Sequence, residues 1–202
     1  MMRIVHADDR LVVIDKPAGL LSVPGRTESD CASARVQAAY PDALIVHRLD
    51  QATSGLLLFA RGPDAQRELS ADFAGRRVGK TYVAVVAGHL EGEGLIDLPL
   101  GADWPNRPRQ QVDLEQGKPS QTRWRVLAHE GGHTRVALEP LTGRSHQLRV
   151  HMAQLGHPIL GDPLYATGAA LDHPRLMLHA ESLRLRHPDS GVQATFSQPA
   201  PF

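Results

Sequence analysis

His47-Arg48-Leu49-Asp50-Gln51-Ala52-Thr53-Ser54-Gly55 runs without a break into Leu56-Leu57-Leu58-Phe59-Ala60. Five consecutive apolar residues cannot alternate between a wet face and a dry one. Residues 55–60 therefore read as a strand buried on both sides. Ionisable groups set just before such a strand stand at the end of a rigid scaffold, where loops present reactive side chains. On local features alone, Asp50 and Thr53 equally suit the caps of a tight turn.

Towards the N-terminus, residues 3–6 and 11–15 read as strands separated by the turn Ala7-Asp8-Asp9. Residues 16–26 hold Pro17, Gly19, Pro24 and Gly25 and read as a loop. Residues 29–40 have helical spacing that stops before Pro41. Beyond the buried strand, Pro63 opens a helix to about residue 74. Residues 80–87 and 95–98 read as strands, and 99–110, with Trp104, Pro105 and Pro108, as a long irregular loop. An antiparallel pair is expected at 121–127 and 134–139 around Glu130-Gly131-Gly132. A helix capped by Ser145 should cover 145–155, ended by Gly156 and Pro158. Strands at 176–185 and 193–196 complete the chain. Strands outnumber helices and no βαβ alternation persists, so the class is α+β with a mixed, largely antiparallel sheet. With no repeat or linker, residues 1–202 read as one domain.

The 202 residues are 42% hydrophobic, enough to remove roughly 70% of the extended chain's surface from water. No apolar run approaches the roughly 20 residues of a membrane span, and no signal-peptide pattern opens the chain. A soluble, cytoplasmic protein is expected. The single cysteine, Cys31, excludes an internal disulfide and a thiolate metal site. With 22 cations against 22 anions the net charge is zero, which argues against a protein that coats nucleic acid non-specifically. Yet 19 of the 22 cations are arginine, which suits forked contacts to phosphate. A GC-rich coding bias raises arginine too, so the count alone decides nothing.

A second stretch with chemistry is Leu141-Thr142-Gly143-Arg144-Ser145-His146-Gln147-Leu148-Arg149-Val150-His151. A strand turns through glycine into a helix whose start is crowded with cations, an arrangement that attracts a phosphate or a buried carboxylate. A surface helix with solvated arginines fits the same pattern. In Lys80-Thr81-Tyr82-Val83-Ala84, period two puts Lys80, Tyr82 and Ala84 on one face. Tyr82 is a candidate site residue or a core aromatic.

Taken in order, HRLDxxTSG, KxY and GRxHQ(L/I)RxH resemble the motifs of the RluA-type pseudouridine synthase family. Gly156-His157-Pro158-Ile159-Leu160-Gly161-Asp162, Tyr165 and Leu178-His179-Ala180 follow in the same pattern. The resemblance runs from about Leu11 to the C-terminus and implies the pseudouridine synthase fold, a mixed central sheet flanked by helices with a catalytic cleft. Residues 19–26 and 103–108 are similar to short members of the family. Those members have no added N-terminal RNA-binding domain and are associated with dual specificity for a tRNA anticodon stem-loop and a 23S rRNA hairpin. A single catalytic domain without that addition is the expectation here. Tyr165-Ala166 departs from the more usual Tyr-Gly, in a loop.

The implied reaction breaks the N1–C1′ bond of a uridine, turns the base and rejoins it through C5. It consumes no external reagent, so no cofactor and no metal is expected. The resemblance makes Asp50 the nucleophile or the trigger of elimination; attack at C1′, attack at C6 and a glycal route stay open. It puts Arg149, ahead of Arg144, opposite Asp50 to favour its ionised form. Tyr82 would stack under the uracil as a possible base at C2′, and Leu148 would pack against it. Arg48 would fill the position the flipped base leaves, with His47 and Thr53 part of the same RNA-binding motif. Arg76, Arg77, Arg107, Arg109, Arg123 and Arg125 are candidates for phosphate contacts. RNA is the expected partner, bound by a monomer.

Three rivals remain. The His146, His151 and His157 spacing does not repeat the i, i+4 ligands of a metal hydrolase. Ser54, His47 and Asp50 lack the GxSxG elbow of a hydrolase triad. A non-catalytic RNA-binding protein of the same fold is the stronger competitor, though binding alone would not require Asp50, Tyr82 and Arg149 together.

Overall fold

The strand read as doubly buried is β4 (Ser54–Arg61), in which seven of eight residues are buried. The computed structural model describes residues 2–202. Ahead of β4 come β1 (Arg3–Ala7), β2 (Leu11–Lys16), helix α1 (Ala32–Gln37) and β3 (Ala43–Ile45). After it follow α2 (Gly62–Ala74), β5 (Gly79–Ala87), β6 (Glu93–Asp97), β7 (Leu100–Ala102), β8 (Gln110–Val112), β9 (Gln121–Glu130) and β10 (His133–Pro140). The chain finishes with α3 (Gln147–Gln154), β11 (Leu178–Arg186) and β12 (Gln193–Ser197). The class is α+β with a mixed, largely antiparallel set of strands, as expected.

The chain forms two compact units. One holds the residues up to Lys80 together with His179–Pro201; the other holds Thr81–Leu178 and Phe202. In the first unit β4 pairs antiparallel with β2 along its length, Leu11 opposite Ala60 through Lys16 opposite Gly55. Its start also pairs parallel with β11, and its end antiparallel with β3. β1 and β12 extend the sheet on β2 and β11. Leu56, Leu58 and Ala60 project from one face of β4 into a cluster with Leu11, Val13, Val78, Leu183 and Leu185. Helix α2 seals that cluster with Ala65 and Leu69, each leucine contributing about 1.5–3 kcal/mol on burial. Pro63 stands in the first turn of α2, where its missing N–H costs nothing.

Gly55 is where β4 can meet β11 at all. Its φ is 113°, and a Cβ there would lie 2.3 Å from the Ala180 carbonyl oxygen. Only a residue without a side chain permits this approach.

In the second unit β5, β10, β9 and β6 form an antiparallel sheet in that order. β9 and β10 are the expected hairpin, turning at Gly131-Gly132. Thr134, Val136, Leu138 and Pro140 alternate inward along β10, the period-two signature. Residues 99–110 are less irregular than their prolines imply, because β7 and β8 pair as a small ribbon around a single helical turn at Trp104–Asn106.

Two helix starts differ from the sequence reading. α1 begins at Ala32, not residue 29, because Cys31 bridges to Leu21, and the amides of Ala32 and Ser33 donate to the carbonyls of Leu21 and Ser22. With those amides committed to residues 21 and 22, neither can close a helical turn back onto residues 28 and 29, so the helix starts at Ala32. Ser145 does not cap α3. His146 does, in the left-handed conformation at φ 53°, and the Gln147 side chain accepts the Arg144 amide at 3.1 Å.

Candidate active site

Asp50 is half-buried in a turn closed by the Thr53 amide donating to the Asp50 carbonyl at 3.1 Å. The 16–22 loop grips the chain on both sides of it. The Ser22 hydroxyl donates to the Leu49 carbonyl at 2.7 Å and accepts the Leu49 amide at 3.0 Å. The Gly19 amide donates to the Gln51 carbonyl at 2.8 Å, and the Gln51 side-chain amide returns to the Gly19 carbonyl at 3.0 Å. Lys16 is fully buried, and its ammonium donates to the carbonyls of Leu20, Pro17 and Gln51 at 2.7, 3.0 and 3.2 Å. A buried ammonium is tolerated only when its protons find acceptors. Here those acceptors come from two segments, which the ammonium ties together. The backbone that carries Asp50 is thereby held rigid on both flanks, the condition for presenting a reactive group in one geometry.

The neighbours of Asp50 divide into exposed and structural. Arg48 is exposed. His47 stacks on Phe73 at 4.5 Å, and its Nε2 accepts the Leu58 amide at 2.9 Å. Burial, helped by the charge of Lys80, pushes its pKa down to about 3, so the ring is neutral with its proton on Nδ1. The position suits holding β4 better than meeting RNA. Thr53 is buried. Ser54 follows it, its hydroxyl 2.8 Å from Nδ1 of His179, whose Nε2 lies 2.9 Å from the Gln198 carbonyl.

In the second unit Arg149 and Arg144 have different surroundings. Arg144 is exposed in the turn before α3. Arg149 is buried and forms a two-point pair with the buried Asp162, Nε to Oδ2 and Nη2 to Oδ1, both at 2.7 Å. Asp162 Oδ1 also accepts the Leu164 and Tyr165 amides at 2.9 and 3.2 Å. Such a forked pair fixes the guanidinium plane. Gly161 places Asp162: its φ is 69°, and a Cβ there would strike the Arg175 carbonyl oxygen at 1.9 Å. The Arg149 guanidinium lies 5.2 Å from the centre of the Tyr165 ring and that of Arg109 lies 5.3 Å from it. The Tyr165 hydroxyl accepts the Gln110 amide at 2.8 Å and meets His146 Nδ1 at 2.7 Å.

Gln147 anchors the start of α3. Its carbonyl oxygen accepts the Thr142 hydroxyl at 2.7 Å, and its amide donates to the Gln121 carbonyl and the Thr122 hydroxyl. His151 is fully buried between the Thr122 hydroxyl and the Leu98 carbonyl, and burial lowers its pKa. Leu148 is buried on the same helix. Tyr82 stands half-buried on β5, opposite Leu138.

The structure thus brings His47, Asp50 and Thr53 onto one clamped turn, and joins Arg149 to Asp162 and Tyr165. Sequence reasoning gave no role to Lys16, Ser22, Gln147 or Asp162. Lys16 carried a usable signal, as one of three lysines in an arginine-rich chain and the last residue of an apolar strand. Among the arginines named for phosphate contacts, Arg77 pairs with Asp72 and Arg123 with Glu139, while Arg107 stacks on the exposed Trp104 at 3.4 Å.

A family described as RNA pseudouridylate synthase matches residues 10–154, and the chain belongs to it. Members convert uridine in RNA to pseudouridine, and this protein is such an isomerase. Among curated relatives, the dual-specificity RNA pseudouridine synthase RluA of Escherichia coli K12 is 53% identical, over 98% of this chain and 93% of the relative. The protein of that name from Yersinia pestis is 50% identical over the full length of both. The solved structure of human RNA pseudouridylate synthase domain containing 1 covers the whole chain and 84% of its own, with 31% identity and a TM-score of 0.86. Human RNA pseudouridylate synthase domain containing 4 gives 25% identity and a TM-score of 0.78, over 98% of this chain and 88% of its own. Among the described residues no helix is long and apolar enough to cross a membrane.

Proposed function

We propose that Asp50 starts the isomerisation, with Tyr82 under the base and Arg149 opposite the carboxylate, all within one catalytic domain. The N1–C1′ bond breaks, the uracil turns, C5 bonds to C1′, and the C5 proton leaves as N1 takes one up. A carboxylate covered by a base loses hydration, and a guanidinium beside it favours the ionised form. Arg149 suits that role better than Arg144, because it is buried and its plane is fixed by Asp162. The two-sided clamp on the Asp50 turn is the observation that carries the reading. Arg48, exposed two residues before Asp50, takes the place of the extruded base.

The substrates proposed are a tRNA anticodon stem-loop and a hairpin of 23S rRNA, bound by a monomer in the cytoplasm. The support is 50–53% identity to relatives named for dual specificity. Exposed Trp104 with Arg107 on the β7–β8 ribbon offers a stacking and charged surface of the type that suits unpaired RNA bases. Pseudouridine mapping of total RNA from cells lacking the protein tests this. Loss of one site in tRNA and one in 23S rRNA supports the proposal, and loss in a single RNA class overturns dual specificity.

A further inference from the structure

On the second unit, the loop after β5 and the end of β9 bring together three exposed side chains that the isomerisation does not use. His89 Nε2 lies 2.5 Å from Glu91 Oε1, and His129 Nε2 lies 3.7 Å from the same oxygen. The two rings stack at 3.9 Å. We propose that His89, Glu91 and His129 form a zinc-binding site separate from the catalytic machinery.

Two imidazole nitrogens and one carboxylate oxygen are a typical zinc donor set, leaving a fourth position for water or another ligand. Zinc–ligand bonds of about 2.0–2.1 Å put tetrahedral ligand atoms about 3.3 Å apart. The three residues offer ligand atoms that all lie within 4.8 Å of one another, and the two histidine–carboxylate separations, 2.5 and 3.7 Å, fall either side of that spacing. Closing on the ion requires turning the His89 ring, whose side chain is 62% exposed and so has room to move.

The backbone beneath the site is fixed, and Thr134 fixes it. The Thr134 hydroxyl, fully buried, donates to the Gly88 carbonyl at 2.8 Å and accepts the Leu90 amide at 3.0 Å. Leu90, between the two ligands of the loop, is buried. The Val126 amide holds the far end through the Gly92 carbonyl at 2.9 Å. The same hydroxyl oxygen lies 3.4 Å from His129 Nδ1. Because its proton is committed to Gly88, it can only accept from the ring. A neutral His129 ring that donates to it from Nδ1 leaves the Nε2 lone pair for a metal. Two ligands on a pinned loop and a third backed by a buried hydroxyl are features a chance surface cluster does not need.

Titration calorimetry with zinc sulfate on the full chain, without a polyhistidine tag, tests the site. One equivalent should bind with a Kd on the order of 1–10 μM. H129Q and E91Q should each weaken binding at least about tenfold, and an H89A/E91Q double variant should abolish it. H6Q, in the other unit, should leave it unchanged. Uridine conversion should be the same in all four variants. Zinc should also shield His89 and His129, read by mass spectrometry, from acylation by diethyl pyrocarbonate in the unaltered protein, which keeps the test independent of variant folding. No saturable equivalent, an unchanged Kd in the variants, or no shielding at these two residues would overturn the proposal.

Discussion

A carboxylate that must stay ionised while a base closes over it needs a positive neighbour, and that neighbour must itself be held. For Arg149, proposed above for that role, the holding comes from Asp162, through their two-point pair. Asp162→Asn should lower kcat while leaving KM within about twofold, and should destabilise the fold by about 3 kcal/mol, since it weakens a buried ion pair. A change confined to stability would remove Asp162 from the positioning of the site. Arg48→Ala should cut kcat/KM on a structured stem-loop about tenfold or more relative to an unstructured RNA holding the same uridine, since extruding a stacked base costs a few kcal/mol. Equal losses on both substrates would reject its wedge role. At this scale the motif positions were readable, but the partners were not. Nothing local to Arg149 announces Asp162, thirteen residues on, and the cap of α3 went to His146 because the Gln147 side chain, not Ser145, satisfies the turn.

Among the elements, β4 was the most legible because five successive apolar residues admit few other readings. The β9–β10 hairpin was equally plain from its alternation and its paired glycines. The start of α1 and the β7–β8 ribbon were not, because each depends on backbone pairing across an irregular loop, Cys31 with Leu21 and 100–102 with 110–112, which leaves no periodicity to read. β3, three residues long, carries no periodicity to read and exists as a strand through its pairing with β4. β4 and β11 approach closely at Gly55. Gly55→Ala should destabilise by about 3 kcal/mol or more, through a clash with the Ala180 carbonyl and a strained φ. Urea denaturation measures this, and a loss below about 1 kcal/mol would mean the two strands can move apart.

For the whole molecule, acid should be the weak side. His47 has a folded pKa near 3 against its ordinary 6.5, so the unfolded chain binds more protons between those values. Its contribution is complete above pH 6.5 and falls towards pH 3, by at most about 1.4 kcal/mol per pH unit. Buried His151 acts in the same direction. Asp8 adds a loss at lower pH. Burial opposes its charge, but hydrogen bonds from His6, the Arg10 and Leu11 amides and His187 hold its pKa well below 3.8. Urea midpoints should drop from pH 7 to pH 4, and His47→Gln, whose carbonyl can still accept the Leu58 amide, should flatten the slope. An unchanged slope would mean His47 titrates normally.

Release of tritium from a tRNA anticodon stem-loop labelled at uridine C5 reports directly on the bond that the isomerisation makes, because C5 loses its hydrogen when it joins C1′. In the presence of EDTA the unaltered protein should release one equivalent per target uridine. Asp50→Asn should release none while binding the hairpin within about tenfold of the parent, about 1.4 kcal/mol. Release by Asp50→Asn at a rate comparable to the parent would contradict the assignment of the reaction to that carboxylate.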